Sequence, residues 1–569
     1  MHKQASVESV AEAYLELLTA RGVEYLFANA GTDFAPIIEA YARRYALGQA
    51  APRPMTIPHE IVAVAMAHGH AMVTGRAQAV MVHVIVGTAN ALGGIMNAAR
   101  TNTPILFTAG RTPITEGGAP GSRNLHIHWA QESFDQGSIV REFVKWDYEL
   151  RNGAQLETVV DRALALAHTE PRGPVYVTFP REVLAERLEA FSYSDPSRAP
   201  RPSDVVPDAA AVAEAAQLLA SAQHPIVIAK SLGRDPRAVP ALVQLAEALA
   251  LPVVEQAHTH LNFPQDHPLH AGFDSTAHLA DADLILVAES DVPWFPNVRS
   301  PRPDARVIQI GVDPLFSRYP IRGFPGDVTL AGTPRLTLPA LAAAAAPLAD
   351  RAAVAERRAR WTERNARARE ARIARGRAAA AESPIDMVWV SRAIADITDD
   401  RTIIVSEYDF DPNQGALTQP GSYFAASPAG GLGWGLGAAL GAKLAAPDKT
   451  VIACVGDGAY IFGAPTAAHF VARAYGLPVL FVVFNNRAWN AVKRAVLSHA
   501  SEGWAARADS MPLTELDPSP DYELVCRASG GHAERVEDPA QLPEALARAL
   551  HAVRVEKRQA LLNVICKKP

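Results

Sequence analysis

Residues 451–490 read VIACVGDGAYIFGAPTAAHFVARAYGLPVLFVVFNNRAWN. The apolar run Val451–Val455 has the length and β-branched content of a buried strand, and Gly456-Asp457-Gly458 turns out of it. A helical segment over about 464–475 follows and ends at Gly476-Leu477-Pro478. A second apolar run, Val479–Phe484, stops at Asn485-Asn486. The pattern is a βαβ unit, which makes the two strands parallel neighbours. It places a carboxylate (Asp457) and a carboxamide (Asn486) at the ends of those strands, where open α/β sheets bind ligands. Such oxygen ligands suit a hard cation that also holds phosphate oxygens, and glycines let backbone approach a phosphate closely.

Outward from this unit the chain reads as α/β throughout, with three doubly wound parallel-sheet domains. Its 569 residues are too many for one core. The first domain is expected over 1–190. It has a helix Val7–Ala20, strands Tyr25–Ala28, Met55–Pro58, Ala79–Val84, Ile105–Ala109 and Val175–Thr178, and a turn at Gly87–Asn90. Residues 111–129 read as an irregular loop, and residues 190–206 read as a proline-containing linker. A second domain, 208–345, carries strands Pro225–Ala229, Leu251–Val254, Leu284–Ala288 and Val307–Gly311. Residues 346–383, rich in Ala, Arg and Glu, read as a solvated helix bridging domains. The third domain, 384–569, ends on a strand Ala560–Ile565, and its least regular part, 497–522, is a candidate lid.

Composition narrows the classes. Hydrophobic content of 49% and charged content of 20% are those of a soluble globular protein. A net charge of −6 argues against nucleic-acid or membrane partners, and no run reaches the ~18 apolar residues of a membrane span. The N-terminus reads as an amphipathic helix and not as a signal peptide. Cys454, Cys526 and Cys566 lie far apart, which argues against a zinc site and a disulfide framework and fits a reducing cytoplasm.

GDG followed after residues 459–484 by NN resembles the cofactor motif of the thiamin-diphosphate (ThDP) decarboxylase/carboligase superfamily. The resemblance implies Mg²⁺ ligation by Asp457, Asn486 and the carbonyl of Ala488, with Gly456 and Gly458 at the diphosphate. It extends to Ser427–Pro447, where the carbonyl of Gly430 would hold the coenzyme's amino group and Leu432 would be the apolar wedge that bends it. It implies that Glu60, in IPHEIVAVAMAHGH, is the acid facing the pyrimidine ring, contributed by the partner subunit. An active site between chains requires at least a dimer, and a homotetramer is expected.

Within the superfamily the pyrimidine-binding region is similar to benzoylformate decarboxylases. There an active-site His corresponds to His83, and a Ser in the first glycine turn corresponds to Thr32. The stretch WAQESFDQGSIVREFVKW is similar to acetolactate synthases and benzaldehyde lyases, which places Gln131 near the coenzyme. No counterpart exists for the second active-site His of benzoylformate decarboxylases, although His126 and His128 lie in the loop. Ala459 stands where a Ser commonly binds phosphate. In SEYDFDP, Asp409 and Asp411 would repel a diphosphate, so they are expected to point elsewhere unless the loop is specialised.

The function implied is non-oxidative C–C cleavage of a 2-oxo acid or 2-hydroxy ketone, with Phe462, Trp489 and Asn490 lining a pocket suited to an aryl or hydrophobic small-molecule substrate. The alternatives are a carboligase of acetolactate-synthase type, with FAD in the middle domain as the less favoured cofactor reading, and a ThDP-binding protein without turnover.

Overall fold

A computed structural model describes residues 2–568. Strands are numbered in chain order. The first domain holds β1 (His2–Ala5), β2 (Tyr25–Asn29), β3 (Arg53–Thr56), β4 (Ala79–Val82), β5 (Leu106–Arg111), β6 (Asp147–Glu149), β7 (Val175–Pro180) and β8 (Phe191–Ser194). The middle domain holds β9 (Pro225–Ala229), β10 (Val253–Val254), β11 (Leu284–Ala288), β12 (Arg306–Gly311) and β13 (Val328–Ala331). The third holds β14 (Thr402–Glu407), β15 (Tyr423–Ala425), β16 (Thr450–Gly456), β17 (Val479–Asn485), β18 (His532–Val536) and β19 (Ala560–Ile565).

The first and third sheets have one topology. Their strand orders are β3-β2-β4-β5-β7-β6 and β15-β14-β16-β17-β19-β18, all pairs parallel. The strand order reverses between β2 and β4 in one and between β14 and β16 in the other. Each reversal leaves a crevice at the carboxyl ends of those strands. The middle sheet, β10-β9-β11-β12-β13, has its reversal between β9 and β11. β1 and β8 form a separate antiparallel ribbon, so the stretch after residue 190 begins as paired strand.

The quoted unit folds as read, with Val451 paired to Val479 in register, but the turn after β16 is absent. A helix Asp457–Phe462 begins at once, then a second, Pro465–Ala474. The expected turn at Gly87–Asn90 is also helix, Val84–Arg100. Its glycines are there for close packing. A Cβ on Gly87 would stand 2.9 Å from the Val82 side chain, and one on Gly94 2.8 Å from Val64. The strand expected at Met55–Pro58 lies two residues earlier, because Ile57 and Pro58 already turn toward the helix Glu60–Thr74. Strands β6 and β13 carry too little apolar pattern to be read from the sequence.

The bridging helix is Arg351–Ala378. It is mostly exposed, yet Arg357 is buried and caps carbonyls of Ala222, Leu249 and Ala250 in the middle domain. Among the described residues no single helix is long and apolar enough to cross a membrane.

First and third domains share one continuous apolar core. The helices Glu60–Thr74 and Trp434–Ala445 cross there backbone to backbone. A Cβ on Gly69 would lie 2.0 Å from the Ala438 carbonyl oxygen, and one on Gly441 2.0 Å from that of Met66. Trp434 is fully buried, worth about 5 kcal/mol at ~200 Å² of apolar area. Its indole N–H donates to His68 Nδ1 at 3.2 Å. Burial pushes His68 down to about 3, so it accepts this bond as a neutral ring.

Candidate active site

The crevice of the first sheet gathers Thr32, His83, Gln131 and Glu60. β2 ends at Asn29 and the chain turns through Gly31, Thr32 and Asp33; β4 ends at Val82, next to His83. The Nδ1 of His83 is 2.5 Å from Asp33 Oδ1. The hydrogen bond and charge of Asp33 hold the imidazole above its usual range against the opposing effect of burial. Because Nδ1–H points at Asp33, the neutral ring offers Nε2 as acceptor, and Gln131 Nε2 lies 3.2 Å from it. The Gln131 Oε1 is buried without a hydrogen-bond partner among the described residues. The same amide turned over would present that oxygen to an imidazolium.

The backbone at this point is strained. Val84, β-branched, has φ 32, and its N–H faces Asp33 Oδ2 at 3.4 Å. A Cβ on Gly31 would fall 2.1 Å from His83 Nδ1, and one on Gly110 1.7 Å from Asp33 Oδ2. Both glycines therefore exist to admit the His–Asp pair.

Glu60 is buried at the start of its helix, with 6% exposure. Asn29 Nδ2 donates to Oε1 at 2.9 Å and Asn90 Nδ2 to Oε2 at 3.3 Å. Thr32 Oγ1 is 3.4 Å from His128 Nε2. His128 Nδ1 accepts from the N–H of Asn124 at 3.2 Å, so the neutral ring carries its proton on Nε2, toward Thr32. Burial and the cations Arg181 and Arg123 lower its basicity. His126 is exposed.

The GDG residues lie at the second crevice, between β14 and β16, and the NN residues at the end of the neighbouring β17. Asp457 Oδ1 accepts from Gly458 N–H at 2.9 Å and Oδ2 from Arg487 N–H at 2.7 Å. Burial raises this carboxyl to about 6. Asn486 is buried, its Oδ1 accepting from Ala488 N–H at 2.9 Å. Arg487 has φ 56, a left-handed residue that folds the NN turn back toward Asp457. Trp489 lies over Gly458, where a Cβ would be 2.3 Å from the ring. The donor set of carboxylate, amide oxygen and carbonyl is all oxygen, and the backbone at Gly456 and Gly458 carries no side chain of its own, the space beside them being taken by Asp409 and Trp489. These residues fit a Mg²⁺–diphosphate pair.

Gly430 has φ 70, and Leu432 is half-buried in the loop before the helix Trp434–Ala445. Asn97 fixes this loop: its Nδ2 donates to Gly431 O at 2.7 Å and its Oδ1 accepts Gly431 N–H at 3.0 Å. Phe462 is exposed, and Trp489 and Asn490 are half-buried. Within one chain the Glu60 and Asp457 clusters share no hydrogen bond among the described residues. The stretch 497–522 is tied down by a bridge of Ala488 to Glu515 and carries a short helix, Trp504–Arg507.

Sequence reasoning missed Asp33, Asn29 and Asn90. Of the acids in SEYDFDP, Asp411 does point elsewhere, accepting from the N–H and the side chain of Asn413 at 3.0 and 2.9 Å. Asp409 does not: it leans over Gly456, and burial and the charge of Asp457 push it up to about 7.

Known families match in three places. The N-terminal TPP binding domain of thiamine pyrophosphate enzymes matches residues 8–139, their central domain 212–341, and their C-terminal TPP binding domain 413–564. The chain belongs to the thiamine pyrophosphate enzymes. Among relatives it is 28% identical to a benzoylformate decarboxylase of Pseudomonas aeruginosa, over 96% of this chain and 98% of that one. It is 24% identical to a probable acetolactate synthase large subunit of Methanocaldococcus jannaschii, over 95% and 89%. Its fold matches that of a 4-hydroxybenzoylformate decarboxylase of Rhodococcus jostii with a TM-score of 0.78 at 24% identity, covering 99% of both chains.

Proposed function

We propose that this chain is a ThDP- and Mg²⁺-dependent lyase that cleaves the C–C bond beside the carbonyl of a 2-oxo acid or 2-hydroxy ketone without oxidation. The observation that carries the reading is the Asp33–His83–Gln131 relay, built at the same crevice as buried Glu60. Bound coenzyme supplies the electron sink for the cleavage. Asp457, Asn486 and the carbonyl of Ala488 would hold its cation, Gly456 and Gly458 would bind its diphosphate, and Gly430 and Leu432 would bind its organic rings. Glu60 would face the pyrimidine nitrogen, and Asn29 and Asn90, which donate to its two oxygens, fix its direction. His83 moves a proton at the substrate's reacting carbon or oxygen, with Asp33 setting its tautomer. Thr32 and Gln131 orient the substrate carbonyl or carboxylate.

A flavin-dependent carboligase is the second reading, supported by the acetolactate synthase relative. The middle domain speaks for the first. Its crevice between β9 and β11 is lined by the buried pair Lys230–Asp291, with Tyr319 donating to Asp291 at 2.9 Å and Arg234 set between Glu170 and Glu289. The Phe462 and Trp489 surfaces support an aryl or hydrophobic substrate. The proposed enzyme is a cytoplasmic homo-oligomer, at least a dimer and by expectation a tetramer, in which Glu60 and Asp457 of different chains meet.

The test is a panel of aryl, branched and straight 2-oxo acids and acyloins, incubated with ThDP and Mg²⁺, with products read by mass spectrometry. Aldehyde and CO₂ from a 2-oxo acid are expected. Release of acyloin alone from two 2-oxo acids moves the assignment to the carboligase. No turnover of any member sinks both.

A further inference from the structure

The three acids that follow one another in SEYDFDP have different fates. Glu407 is buried and accepts backbone N–H groups of Gly433, Trp434 and Gly435 at 2.7, 3.2 and 2.7 Å, which anchors the start of that helix. Asp411 closes its own turn. Asp409 alone has no hydrogen-bond donor among the described residues. Tyr408 has φ 81, a left-handed conformation that costs a non-glycine residue, and it swings the next side chain back over the crevice. There Asp409 Oδ2 occupies the space above Gly456, 2.4 Å from where a Cβ would stand. Gly456 immediately precedes Asp457, whose charge acts directly on Asp409. The cation whose field reaches Asp409 is Arg494, on the exposed face of the helix Asn490–His499.

Two carboxylates thus flank one crevice that has to receive a diphosphate. Left alone they repel it; with a divalent cation between them they become ligands or close counter-charges. We propose that Asp409 is a second acidic group of the cation site, which strengthens binding of the divalent cation and makes loading of the diphosphate conditional on it. This rests on the coenzyme reading of the Asp457 site. The left-handed Tyr408 turns the carboxylate there, and the absence of a side chain at residue 456 leaves it room.

The test uses the full chain and its Asp409→Asn variant, which keeps shape and removes charge. Mn²⁺ binding without ThDP is read by electron paramagnetic resonance, and ThDP binding in EDTA by calorimetry, both at pH 8. Loss of Asp409 is expected to weaken Mn²⁺ about tenfold and to tighten metal-free ThDP about tenfold, effects of opposite sign that a general packing defect does not produce. Unchanged constants, or both moving the same way, overturn the proposal. If Asp409→Asn does not fold, Asp409→Ser carries the same measurement. Wild-type binding of ThDP with Mn²⁺ present is the separate check. Its failure would remove the coenzyme site itself, whereas its success with uncrossed signs would remove only the role of Asp409.

Discussion

Gly31→Ala isolates the His83 relay from everything around it. Gly31 has φ −129 and ψ −164, an extended conformation open to any residue, so the backbone itself accepts alanine. The new Cβ would stand 2.1 Å from Nδ1 and 2.2 Å from Cγ of His83. Ordinary contact is about 3.5 Å, so the ring has to retreat by about 1.4 Å. It cannot do so freely, because Asp33 holds one nitrogen at 2.5 Å and Gln131 approaches the other at 3.2 Å. Retreat breaks the charge-assisted bond, at about 1.5–3 kcal/mol. If the ring stays, overpacking costs about 1–3 kcal/mol. A shift of about 1 Å in a proton-transfer group lowers turnover by about 10²-fold. The assay is a double-mutant cycle, in which Gly31→Ala is made in wild type and in His83→Ala. Denaturant unfolding reports stability, and 2-oxo acid turnover is followed in the wild-type background. With the ring gone, Gly31→Ala should cost almost nothing. An equal loss of stability in both backgrounds would refute the argument, since the collision would then not be with His83.

Glu60→Gln should keep the fold and slow exchange of the bound coenzyme's C2 proton by at least about 10²-fold, read by NMR; exchange at the wild-type rate removes Glu60 from the chemistry. Asp457→Ala should abolish Mg²⁺-dependent retention of ThDP on gel filtration, and undiminished retention would refute the metal assignment. Asp33→Asn tests the pH dependence of His83. Because the folded-state imidazole is raised, its ion pair stabilises fully below the ordinary value of about 6.5 and the contribution fades as pH rises through the folded-state value. The variant should therefore lose stability in acid and approach wild type at alkaline pH. A loss independent of pH would show that Asp33 acts through packing alone.

Local pattern carried much of the architecture. Strand β19 falls on the expected residues Ala560–Ile565, and the helix Pro465–Ala474 lies inside its expected span, because apolar runs and glycine–proline stops are local signals. Gly87–Asn90 misled because glycine marks both turns and helices pressed against a neighbour, and only the position of Val82 and Val64 tells them apart. Thr32, His83 and Gln131 were nominated by resemblance, and the fold brings them into one crevice. Asp33 was invisible because its meaning comes from the reversal of strand order, which sets two residues 50 positions apart against each other. The aim of Asp409 depends on one dihedral angle at Tyr408, and no composition rule reports that.

The glycine-lined crossing of Glu60–Thr74 with Trp434–Ala445 has a consequence for how this protein handles its coenzyme. With Gly69 and Gly441 leaving bare peptide against bare peptide, and Trp434 pinned to His68, the outer two domains of a chain form one inflexible block. Packing this close opposes a hinge motion between them. In the proposed oligomer, release or uptake of coenzyme would then proceed through small peripheral segments or by parting of whole subunits, and exchange should slow as protein concentration rises.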